Sequence, residues 1–339
     1  MRLFFIILYC LVLFTCKKTK KSSVAKNLNQ YAKTTFVLTL EDSIPKGRNA
    51  VYASTMLFAW DELRKKINGS LEIKKEYVDL NRLNNSTSFI HVLKPEEYEA
   101  SGEIIDGKIV AKARFSKSLP FKYEMTILNN KLKFNNKQVA SFGAIGFNNY
   151  YAMELFEIAY YKDDNNFIIK LFPSEKEHEI ILFKSEQEFN SMAEILREIY
   201  KCIEKGRVEK KEPATHWKYS FEDDDELIIP KICFNIETNF SNLEGKSFKA
   251  NGVEFPIMVA WQQTEFILNE KGAKVESEAF VEASEEIELP KPKKMYFDKP
   301  FSIFLKRTDA KNPYFGLFVR NSELMLVESS LLEKTIKEN

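Results

Sequence analysis

Side-chain catalysis needs groups that titrate or attack near neutral pH, and the histidines of this chain are only His91, His178 and His216. None has a second histidine or a cysteine at metal-ligand spacing. His178 sits among Glu175, Lys176, Glu177 and Glu179, which reads as a solvated strand or turn. His216, beside Trp217 and after a Lys/Glu-rich stretch, reads as a loop position. No Walker loop, G-x-G-x-x-G, H-E-x-x-H, C-x-x-C or G-x-S-x-G is present. Glu222-Asp223-Asp224-Asp225-Glu226 could attract calcium. It lacks the glycine and the alternate spacing of an EF-hand loop, so it reads as an exposed acidic turn. The chain is therefore expected not to be an enzyme and to need no metal or cofactor. Beyond the N-terminal segment only Cys202 and Cys233 remain, and they read as two separate thiols rather than a disulfide framework.

The N-terminus points to export. Arg2 precedes an apolar run from Leu3 to Phe14, and Lys17-Lys18-Thr19-Lys20-Lys21 closes it. The run is short for a membrane span, which needs about 20 residues. Leu13-Phe14-Thr15-Cys16 resembles a bacterial lipobox, with Thr15 in place of the usual small residue. That resemblance implies cleavage after residue 15, lipidation of Cys16, and an outer-membrane or cell-surface lipoprotein, periplasmic or extracellular. An ordinary signal peptide or signal anchor, with Cys16 incidental, is the alternative. Residues 17–33 read as a polar tether.

Composition sets the class of the remaining chain. Lys+Arg number 50 and Asp+Glu 49, for a formal charge of +1, which argues against a polyanion-binding surface dominating the whole molecule while leaving room for a local patch; no nucleic-acid partner is expected. Hydrophobic residues make up 44%, with 28 Phe, enough for a large core. Thr35 to Leu40 reads as a strand. A helix is predicted from Ser54 or Thr55, either of which can cap it, to Lys66, with Leu57, Ala59, Trp60 and Leu63 on its apolar face. Residues 67–107 show no clear pattern. From 108 onward strands dominate: 108–115, a hairpin of 155–161 with 166–172, then 179–183, 227–230, 231–236 and 264–269. Ser185 with Glu188 reads as a capping box for a helix to about Lys205, ended by Gly206. Strands outnumber helices and are not in βαβ order, so the class is α+β with large antiparallel or mixed sheets.

One run has a property of its own. Ala273, Val275, Ser277, Ala279, Val281 and Ala283 alternate with Lys274, Glu276, Glu278, Phe280, Glu282 and Ser284. One face is small throughout and the other mostly charged, the period of a strand able to lie within a sheet. Pro290-Lys291-Pro292-Lys293-Lys294 then reads as an extended, solvated connector.

Three stretches around this run resemble the serpin family. Ile229 to Phe240 resembles the family's "lPkFkiEtsydL", and Thr264 to Ala273 resembles "xfieVNEeGt". Tyr296 to Leu305 resembles "FnrPFlFlI", with Asn312 to Asn321 against "spLFmGkVvN". Weaker matches are Asn49 to Ala59, Ala113 to Phe121, with Leu119 in place of the family's tryptophan, and Leu155 to Lys162. The resemblance implies a serpin-like α+β domain over 34–321, with helices clustered toward the N-terminal half, a reactive loop near the C-terminus and a tail at 322–339. Several helices and one or two strands of the main sheet are expected to be missing. It implies suicide-substrate inhibition of a serine or cysteine endopeptidase by a monomer. The loop hinge falls on Glu270, Gly272, Ala273, Val275, Ser277 and Ala279, and the scissile bond at Glu286-Ile287. The alternative is a serpin-fold binding or structural protein that no longer inhibits, since Lys274, Glu276 and Glu278 interrupt the family's small-residue hinge.

Overall fold

The computed structural model describes residues 24–105, 108–128, 130–146, 154–271 and 291–327. In chain order the first strands are β1 (Lys26–Asn27), β2 (Thr34–Val37), β3 (Asn49–Ala53), β4 (Glu72–Ile73), β5 (Tyr98–Ile105), β6 (Lys108–Phe115) and β7 (Thr126–Ile127). Next come β8 (Leu132–Phe134), β9 (Lys137–Val139), β10 (Ser141–Ile145), β11 (Phe156–Asp163), β12 (Asn166–Leu171), β13 (His178–Lys184) and β14 (Glu226–Pro230). The last are β15 (Ile232–Asn239), β16 (Ser247–Ala250), β17 (Val253–Pro256), β18 (Trp261–Leu268), β19 (Lys294–Tyr296), β20 (Phe301–Arg307) and β21 (Phe315–Val319). The described α-helices are α1 (Thr55–Ile67), α2 (Val78–Asn85) and α3 (Met192–Glu209). The class is α+β, but α3 lies past the chain midpoint, so the helices do not all cluster toward the N-terminal half.

A seven-stranded sheet, in the order β11-β12-β13-β20-β21-β3-β2, carries the core. Its pairs are antiparallel except β2 with β3. Every residue of β13, β20 and β21 is buried, as expected of strands covered on both faces. Helix α3 lays Ile195, Leu196, Ile199 and Ile203 on this sheet. Gly206 lies inside α3 rather than ending it, and a Cβ there would sit 2.2 Å from the Ala159 carbonyl oxygen of β11. The helix begins at Ser191, whose hydroxyl accepts from the Glu194 amide, and not at Ser185. Glu188, expected to complete a capping box, instead pairs with Arg320.

Among the described residues five smaller sheets accompany this core, and three of them bear on the site. Strand β15 pairs with β18 along the whole of β18, and β1 adds to the far side of β15. Strands β5 and β6 form a hairpin over α1. Gly102 allows that approach, because a Cβ there would meet the Glu62 carbonyl at 3.0 Å and the Lys66 Cγ at 2.8 Å. The third unit is the four-stranded sheet β19-β14-β10-β7, in which β19 runs parallel to β14.

Described structure is present on both sides of residues 34–321. Lys26 to Gln30, placed in the tether, carry β1 and a 3-10 turn. Beyond residue 321, Leu324 and Met325 are buried, and Glu323 accepts from the Lys33 amide and the Thr34 hydroxyl. Neither stretch is a free tail because each supplies contacts that the core uses.

Candidate functional site

Strands β18 and β6 each have one edge in a ladder, with β15 and with β5. Among the described residues their other edges have no strand partner. Both edges line one cavity of about 1400 Å³. They also rest on one floor. Phe266 of β18 stacks on Phe315, with ring centroids 4.6 Å apart, and Phe115 of β6 stands edge-on to Tyr314 at 5.5 Å. Thr55, Met56 and Ala59 from the first turns of α1, with Ile180 and Leu305 of the large sheet, also line the cavity. Along β18 the burial alternates strictly: Gln262, Thr264, Phe266 and Leu268 are buried, while Trp261, Gln263, Glu265 and Ile267 are exposed. The cavity is thus an open slot between two strand edges over an apolar floor. Unpaired strand edges are templates for a further strand.

The slot adjoins the point where the chain leaves β18. Glu270 is buried, and its Oε2 lies 2.5 Å from Lys231 Nζ. The Glu270 carbonyl accepts from the Met125 amide, and the Asn269 side chain accepts from the Lys271 amide. The chain therefore turns at 269–271 and is fixed there. Residues 272–290 lie outside the described residues, and with them the expected hinge positions Gly272, Ala273, Val275, Ser277 and Ala279 and the scissile pair Glu286 and Ile287. Cys16 lies outside them as well.

A second buried pair holds the chain where it returns. Lys293 Nζ lies 2.6 Å from Asp225 Oδ2, and both side chains are about 2% exposed. Lys293 also donates to the Trp217 carbonyl, and its backbone amide donates to Asp225 Oδ1. Lys294 and Tyr296 both reach Glu226. Two expectations are corrected here. The acidic run at 222–226 is not wholly an exposed turn, and the Pro/Lys connector is not wholly solvated. Asp225 and Lys293 satisfy each other, which is how two charges remain buried.

His178 is also not solvated: it is 3% exposed. Its Nε2 lies 2.9 Å from Glu97 Oε1, and the Tyr314 hydroxyl lies 3.3 Å from its Nδ1. Lys117 and Arg307 converge on the same carboxylate at 2.6 and 3.0 Å. Burial works to raise the Glu97 carboxyl, but the Lys117 ammonium, the Lys94 amide and the His178 ring overcome it and hold it at about 2. Burial lowers the His178 imidazole; Glu97 opposes this, and the Lys117 and Arg307 charges add to it. The ring is then neutral near pH 7, with Nε2–H donating to Glu97 and Nδ1 accepting from Tyr314. Lys117 and Tyr314 also line the slot, so this network borders one wall of it.

No family model matches the chain, and no curated protein does. Solved structures similar to it include one of native protease nexin-1 with heparin. The identity is 14% and the TM-score 0.40, over 78% of this chain and 80% of that one.

Among the described residues no group of three His, Cys, Asp or Glu could hold a metal ion, and Cys202 and Cys233 are not joined in a disulfide. The burial of Cys202 raises its thiol to about 11. The residues missed from sequence are Lys231, Thr55, Asp225 and Lys293. Lys231 gives a signal, a lysine within the apolar run from Leu227 to Phe234; the other three give none.

Proposed function

We propose that the chain is a serpin-like protease inhibitor of the suicide-substrate type, exported and held at the cell surface through Cys16. A serine or cysteine endopeptidase attacks the Glu286 carbonyl, and Ile287 leaves as a new N-terminus. Residues 273–283 then enter the slot between β6 and β18. At about 3.3 Å per residue they span about 36 Å, which drags the acylated protease from one end of the sheet toward the other. The observation that carries this reading is the slot, flanked by two strand edges that have no strand partner among the described residues and adjoining the turn at 269–271 from which the alternating segment departs. The small face, Ala273 to Ala283, suits the apolar floor. Lys274, Glu276, Glu278 and Glu282 suit the side on which Gln263 and Glu265 of β18 are exposed.

Incubation with a panel of serine and cysteine proteases tests the reading. A covalent complex stable in SDS is expected with at least one of them, and clean cleavage near Glu286 by all, with no complex, argues against inhibition.

One observation favours a second reading, a serpin-fold binding or structural lipoprotein. Both ends of residues 272–290 are pinned by buried Lys–carboxylate pairs, which suits a loop that stays where it is. Unchanged thermal stability after nicking of the loop supports that reading.

A further inference from the structure

We propose that Met258, Val259 and Trp261, at the entry to β18, form the face that rests on the lipid surface to which the chain is anchored. This rests on the proposed anchoring through Cys16.

Single exposed apolar residues are ordinary, but a cluster of them is not. Val78, Ile90, Ile127 and Val208 are exposed, and each stands alone in the chain. Met258, Val259 and Trp261 are 72%, 69% and 49% exposed within four positions. Val253, on β17 just before them, is exposed as well. The backbone on either side of Met258 and Val259 is already used. The Ile257 amide donates to the Lys246 carbonyl, and the Ile257 carbonyl accepts from the Gly245 amide. The Ala260 amide donates to the Glu244 carboxylate, and the Ala260 carbonyl accepts from the Phe240 amide. The pair is thus pinned to the 240–246 loop and presents side chains rather than a strand edge, which argues against pairing with a peptide or a second copy. Met258 and Val259 also lie outside the lining of the slot. A tryptophan beside aliphatic side chains suits the boundary between headgroups and acyl chains. The neighbouring charges, Lys246, Lys249, Glu254 and Glu265, offset one another, so the contact rests on apolar burial and not on anionic headgroups.

The occupant follows from where β1 lies. Lys26 opposes Ile236, Ile236 opposes Thr264, and Trp261 lies three residues before Thr264 on β18. Two strand spacings and three residues put Trp261 about 14 Å from Lys26. The ten residues from Cys16 to Lys26 reach at most about 35 Å. A bilayer that holds Cys16 is therefore within reach of this face. Three side chains alone grip a membrane weakly. A short tether supplies an effective concentration of about millimolar, which makes a weak contact sufficient.

The test uses the full chain, purified from membranes and reconstituted into phosphatidylcholine vesicles with or without brominated acyl chains. Bromine quenches a tryptophan that enters the acyl boundary. Trp60 is buried and Trp217 is packed against the core, so Trp261 supplies the change. The parent is expected to float with the vesicles and to be quenched, and Trp261→Phe to float without that quenching. Met258→Ser with Val259→Ser is expected to float, to melt like the parent and to lose at least about half of the quenching. Floating of the parent without quenching overturns this docking face while leaving the anchoring in place. Trp261 emission that shifts on addition of a protease, with no bromine quenching, overturns the lipid contact and gives the face to a protein. A parent chain that does not float with the vesicles overturns the anchoring and the docking with it.

Discussion

Charged side chains do most of the positioning at the candidate site. The Lys231–Glu270 pair fixes where the chain leaves β18. Removing one partner of a buried pair strands the other charge, whereas replacing both with apolar groups is often near neutral. Glu270→Gln is therefore expected to cost about 3–5 kcal/mol, and Glu270→Leu with Lys231→Met far less, read from urea unfolding midpoints. Similar losses for the single and the paired replacement would show that the pair is not isolated from water. His178 gives the pH dependence. Its folded pKa lies below the ordinary value of about 6.5. As pH falls below about 6.5 the unfolded chain takes up a proton that the folded chain resists, so stability falls until the folded ring also protonates. Glu97, held at about 2 against an ordinary 4.5, adds a second loss as pH falls from 4.5 toward 2. Unfolding at pH 7.5 and 5.5 should show a drop for the parent and a smaller drop for His178→Gln. Equal drops would remove His178 as the sensor.

At the scale of elements, periodicity is a faithful guide where one pattern dominates. β6, β11, β12 and β13 fall within a residue or two of where alternating or continuous apolar residues predict them. Three helix ends are less legible. Ser185 and Glu188 have the spacing of a capping box, but the pattern recurs at Ser191 and Glu194, and only the later pair sits where Met192, Ile195 and Ile199 can meet the large sheet. Ser54 precedes α1 as expected, yet its hydroxyl makes no cap, because its backbone is already helical. Gly206 resembles a terminator in sequence but is a contact in space, visible only once β11 is laid beside α3. Gly206→Ala should therefore destabilise by about 1–3 kcal/mol, although alanine is the better helix former. An unchanged or raised urea midpoint would show that α3 can shift away from Ala159 without cost. The buried pairs are illegible in sequence for a related reason: Asp225 and Lys293 lie far apart in the chain and meet only through β14 and β19.

Across the whole molecule, the two ends of residues 272–290 are fixed in different sheets, one beside β15 and β18 and the other beside β14. An uncut segment tied at both ends is limited in how far it can extend along β18. Cutting near Glu286 frees it while its first residues stay tethered at Glu270. That is a physical reason for cleavage to act as the trigger in the proposed mechanism. The alternating pattern of 273–283 is legible in sequence. The slot is not, since it exists only where β6 and β18 share a floor without sharing a ladder. Amide hydrogen exchange on the full chain, before and after nicking near Glu286, tests this most directly. Peptides covering β6, β18 and residues 273–283 should gain protection together on nicking. Unchanged exchange in all three would contradict insertion of the cut segment between those strands.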